Sequence, residues 1–105
     1  MIIDIVDLLP TKVSTKVISY QLAKSGTYVG ANYRASLIAR SDKEFISKMN
    51  IVLEESDESM FWLEIIQEKK WIDKSIAEEA LKEANELTSI FVAILKNTKT
   101  RMNKK

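Results

Sequence analysis

Only three of the 105 residues, Pro10, Gly26 and Gly30, are proline or glycine. These two residue types punctuate turns, so a chain this poor in them has few sharp corners and long regular elements. The series Ile18, Leu22, Ser25, Val29, Asn32, Ser36 and Ala39 steps by four and three, which traces one face of a helix. No strand-like alternation is present. Long helices joined by brief turns pack as a bundle, so the expected fold is all-α, an antiparallel up-down four-helix bundle with a short first helix. At this length residues 1–105 read as a single domain.

The elements follow from their punctuation. Ile2, Ile3, Ile5, Val6, Leu8 and Leu9 form a short apolar segment that ends at Pro10. Helical periodicity then continues to about Arg40. Ser41-Asp-Lys-Glu44 has the spacing of a capping box, in which the serine hydroxyl takes the Glu44 N–H and Glu44 reaches back to Ser41. A third helix should begin there, with Phe45, Met49, Val52, Ser56, Met60, Leu63 and Ile66 on its inner face. Ser75-Ile-Ala-Glu78 repeats the capping spacing after a brief connection, and predicts a fourth helix with Ile76, Ala80, Ala84, Leu87, Phe91 and Ile94 inward. The polar segment 97–105 is expected to fray.

Composition narrows the function classes. Hydrophobic residues make up 46% and charged residues 30%, which sets the chain apart from disordered and membrane-spanning classes. No apolar run approaches the roughly 20 residues that a membrane span needs. The opening Met1–Asp7 carries two acids and no base, unlike a secretory signal. The lack of cysteine removes disulfides and zinc-thiolate sites and fits a reducing cytoplasm. Histidine is also absent, and with it go the commonest general base and the commonest metal ligand. No catalytic residue, metal ligand, cofactor or small-molecule substrate is expected.

The second helix departs from the usual pattern. Gly26 and Gly30 lie in its interior, each costing about 1 kcal/mol against alanine. They share a side with Tyr33 and Leu37, where another backbone can come close. The approaching element is either another helix of the same subunit or a second subunit or ligand. Asn32 sits in the core-facing series, a position where one polar residue commonly fixes register or oligomeric state. The opposite face carries Tyr20, Thr27, Ala31 and Ile38 between Lys16, Lys24 and Arg34. A helix with apolar residues on nearly every side needs more than one neighbour. Self-association is the economical expectation, and Gly26, Gly30, Asn32, Tyr20 and Ile38 are the candidate packing or oligomer contacts.

The charge is unevenly spread. Net charge is +1, yet residues 10–48 carry +5, residues 49–68 carry −6, and residues 96–105 carry +5. Such a chain can present a basic face to a polyanion although its total is near zero. Lys16, Lys24, Arg34, Lys96, Lys99 and Arg101 are the candidate nucleic-acid contacts, through phosphates and without reading sequence. The acids Glu54, Glu55, Asp57 and Glu58 raise a metal reading, but helical bundles that bind di-iron pair glutamates with histidines. A solvated face, or salt bridges to Arg34, Arg40 or Lys48, is the simpler expectation.

Three runs carry a resemblance. They are Gln21-Leu22-x-x-Ser25-Gly26-Thr27-x-Val29-Gly30-Ala31-Asn32-Tyr33-Arg34-Ala35, then Ala39-Arg40-Ser41-x-x-x-Phe45-Ile46-x-Lys48, then Glu54-Glu55-x-Asp57-Glu58-Ser59-x-Phe61-Trp62-Leu63-Glu64. In order and spacing they resemble the bacterial four helix bundle proteins also called 23S rRNA intervening sequence proteins, or S23-type proteins. The likeness covers about residues 8–70. It implies a four-helix bundle in a ring-like homo-oligomer, with a pentamer favoured. A related branch, the accessory variability determinants of diversity-generating retroelements, forms pentameric barrels that bind a reverse transcriptase and nucleic acid. The expected function is therefore a non-enzymatic homo-oligomeric scaffold or accessory protein with weak nucleic-acid binding. The alternative is a protein–protein interaction module with no nucleic-acid role.

Overall fold

A computed structural model describes residues 2–104 of the chain. Met1 and Lys105, which the sequence reading placed in the opening segment and the tail, lie outside them. Four helices follow in order: α1 (Ile2–Leu8), α2 (Val13–Leu37), α3 (Asp42–Lys69) and α4 (Lys74–Asn103). Among the described residues there is no strand. Short connections turn the chain back at each step, so α2, α3 and α4 run antiparallel in succession. The packing agrees, because Met49 and Val52 of early α3 meet Phe91 and Leu95 of late α4. At the other end Leu22 of α2 joins Leu63 and Ile66 of α3.

The central helix is α3, which packs against both α2 and α4. The short α1 lies against α2, and its Ile5, with Leu9 just beyond it, completes the core at that end. The result is an elongated body of 52 × 20 × 17 Å. A full-length fourth helix would close the bundle over the gap between α2 and α4. Seven residues of α1 cover only one end of that gap.

The helix ends follow local chemistry in some places and packing in others. Ser41 caps α3 through its hydroxyl, which accepts the Glu44 N–H at 3.0 Å. Glu44 does not return to Ser41 as expected, and its Oε2 instead accepts the Arg40 N–H at 3.2 Å. At the other end of α3, Lys70 adopts the left-handed conformation with φ of 56°. Its N–H bonds the Gln67 carbonyl and the Trp71 N–H bonds the Ile66 carbonyl, the pairing of a Schellman stop.

Three expectations need correction. The box at Ser75 does not form, because α4 starts at Lys74 with Asp73 as its cap residue and no side-chain capping bond. Trp71 and Ile72 pack against the core and bring the backbone into helical register before Ser75. Leu87, expected inward, is 48% exposed, since it borders the gap between α2 and α4. The segment from 97 onward stays helical to Asn103 where fraying was expected. Leu95 and Thr98 bury its inner side, and Arg101 donates to Asp42 Oδ1 at 2.8 Å.

Candidate interaction surface

The gap left by the short first helix is a groove of about 620 Å³. Its floor is α3, through Ser56, Ser59 and Leu63, and its walls are α2 and α4. At Tyr33 and Phe91 the walls touch, with ring centroids 5.9 Å apart. Leu87 and Ile90 of α4 border it and stay about half exposed. The charged residues that line the groove are Asp4, Glu79 and Glu83, all acidic.

The two glycines of α2 both line this groove but differ in what they face. A side-chain carbon built on Gly26 would lie 2.7 Å from Ile2 Cδ1 and 3.0 Å from its Cγ2. The missing side chain is what lets α1 lie flat on α2, the intrasubunit packing considered for this position. Gly30, one turn further along, faces nothing within 4 Å.

On the far side of α2, a second apolar surface faces outward. Val13 is 82% exposed, Ile38 80% and Tyr20 64%. Val17 lies between them and is also exposed. Lys16, Lys24 and Arg34 share this face, while α2 contains no acidic residue. The Lys24 ammonium stands 5.9 Å from the Tyr28 ring centroid. Tyr20 and Ile38, two of the candidate contacts, therefore lie on the surface of the subunit.

Asn32 is half-buried, and its Nδ2 donates to the Tyr28 carbonyl at 3.0 Å within its own helix. The polar contacts that link the helices are instead hydroxyl pairs. Ser25 and Ser59 join α2 to α3 at 2.8 Å, and Ser56 and Thr88 join α3 to α4 at 2.7 Å. Each pair ends on a backbone carbonyl, at Leu22 or Glu55 for the first and at Ala84 for the second. Ser59 and Thr88 were not picked out from sequence. The signal available was the three-residue spacing of Ser56 and Ser59, which puts both hydroxyls on one side of α3.

The acidic run of α3 is a partly solvated face. None of Glu54, Glu55, Asp57 and Glu58 forms a salt bridge to Arg34, Arg40 or Lys48 among the described residues. The base that acts on this cluster is Lys24. Burial pushes the half-buried Glu55 carboxyl above its ordinary value, Glu58 and Glu54 push it the same way, and Lys24 opposes them. Glu58 Oε1 accepts the Trp62 indole N–H at 3.3 Å. No group of three or more possible metal-ligating side chains occurs among the described residues.

The basic candidates do not form one patch. Lys16, Lys24 and Arg34 lie on α2, whereas Lys96 and Lys99 project from the last turns of α4 and are exposed. Arg101 is engaged with Asp42 of α3. No helix among the described residues is long and apolar enough to cross a membrane.

A crystal structure, at 1.70 Å resolution, of a protein of unknown function from the S23 ribosomal protein family of Bacteroides thetaiotaomicron superposes with a TM-score of 0.83. The two chains are 32% identical, and the match covers 90% of this chain and 88% of that one. No curated protein matches. The family model for the 23S rRNA-intervening sequence protein matches residues 1–93. With that span and a shared helical fold, the chain belongs to the 23S rRNA-intervening sequence protein family.

Proposed function

We propose that the chain is a non-enzymatic, cytoplasmic homo-oligomeric scaffold or accessory subunit. The observation that carries this reading is the outer face of α2, where Val13, Val17, Tyr20 and Ile38 are exposed along a helix whose other side is already in the core. An apolar strip of that length on a small soluble subunit marks an interaction surface. The groove supplies a second such surface on the same subunit, and two distinct surfaces suit a ring better than a simple pair. Five copies are favoured by the likeness to the pentameric accessory proteins. The absence of histidine and cysteine from the sequence favours a role without catalysis.

Size-exclusion chromatography with light scattering tests this reading. The expected mass is a multiple of 12.0 kDa at micromolar concentration, and a uniform 12.0 kDa species would refute it. Weak contact with nucleic acid belongs to the same reading, carried by the exposed Lys96 and Lys99. A gel shift that weakens steeply with added salt is the expected result. No retardation at low salt would leave the protein–protein module.

A further inference from the structure

Gly30 has no explanation within the subunit. Gly26 makes room for Ile2, but a side chain at Gly30 would meet open space. Glycine in a helix interior is unfavourable relative to alanine, and a bare backbone in a groove wall suits something that approaches closely from outside. The groove also specifies its occupant. Its surface is mostly apolar, and every charged side chain that lines it is acidic. The matching ligand is a helix with an apolar strip flanked by bases and free of acids.

The chain itself carries that helix face. On the outer side of α2, Val13, Val17, Tyr20 and Ile38 are exposed, Lys16, Lys24 and Arg34 flank them, and no acid occurs anywhere in the helix. From Val13 to Ile38 the strip is roughly 38 Å long, and along α4 from Ile76 to Ile94 the groove is roughly 27 Å, both at 1.5 Å per residue. We propose that a second copy of the chain lays the outer face of its α2 into the groove between α2 and α4 of the first. This rests on the homo-oligomer reading and deepens it by naming the two surfaces that meet.

The contact joins unlike surfaces. Each subunit that receives a neighbour in its groove still presents its own α2 face, so addition repeats head to tail. Such an arrangement closes as a ring when the rotation per step allows it. Lys16 and Lys24 of one copy then approach the acidic rim of the next, and added salt weakens assembly.

Two variants of the full chain test the pairing, both at exposed positions. Glu83→Lys with Ile90→Lys spoils the groove, and Lys16→Glu with Tyr20→Glu spoils the face. Circular dichroism checks that both remain helical. Light scattering is expected to give a 12.0 kDa species for each variant alone. An equimolar mixture is expected to double that mass, because one variant keeps an intact face and the other an intact groove. If the wild type assembles but either variant assembles equally well, or the mixture stays at the single-chain mass, this pairing is wrong while the oligomer reading survives. If the wild type is itself a single chain, both fail, and the groove is left to some other partner.

Discussion

Thr15 lies in the first turns of α2, fully buried, and its hydroxyl oxygen has no hydrogen-bond partner. A buried unsatisfied polar atom costs about 1–3 kcal/mol, and an apolar group of the same shape removes that cost. Thr15→Val should therefore raise stability by about 1 kcal/mol, read as a higher urea midpoint at unchanged slope. The two glycines predict a contrast. At concentrations where subunits are dissociated, Gly30→Ala should gain about 1 kcal/mol of helix propensity. Gly26→Ala should gain less, because Ile2 and with it α1 must shift. That both glycines mark close approach was legible in the sequence. Which neighbour each one faces was not, because two positions one turn apart differ only in how far α1 reaches.

Glu55 sets a pH dependence. Its folded-state value lies above the ordinary 4.5 because burial and neighbouring acids penalise the charged form. The unfolded chain therefore ionises more readily than the folded one, and above the raised value the carboxylate opposes folding. Glu55→Gln should melt higher than wild type at about pH 7, and the difference should shrink as pH falls through the raised value. A difference that grew on acidification would have the wrong sign.

At the scale of elements, the helices are tied in register by hydroxyls on the two sides of α3. A double-mutant cycle with Ser56→Ala and Thr88→Val should give a coupling energy of about 1 kcal/mol, since the pair bridges α3 and α4. The same cycle on Asn32 and Ser59 should give none, because the amide of Asn32 donates within α2. Local signals were read well where local chemistry decides. Ser41 sits at the start of α3 and caps it through its own hydroxyl. They were read poorly where packing decides. The start of α4 is set by Trp71 and Ile72 settling into the core, which no capping spacing reports. The segment after Asn97 looked frayed because it is polar, yet Thr98 and Arg101 hold it to the body by burial and by the contact with Asp42.

At the scale of the whole molecule, the all-helical fold was legible from periodicity and the scarcity of turn residues. The groove was not, since it arises from a gap between α2 and α4 that are distant in sequence. Its existence follows from α1 having only seven residues beside helices of 25 and 30. An isolated subunit is thus a rod with one open side and one uncovered apolar face. Solution X-ray scattering tests most directly whether copies cover those surfaces, because one curve gives both mass and shape. Assembly predicts a mass of several chains and a radius of gyration well above the 15.5 Å of the single subunit. A curve that fits a 12.0 kDa particle with the 52 × 20 × 17 Å envelope of one chain would contradict it.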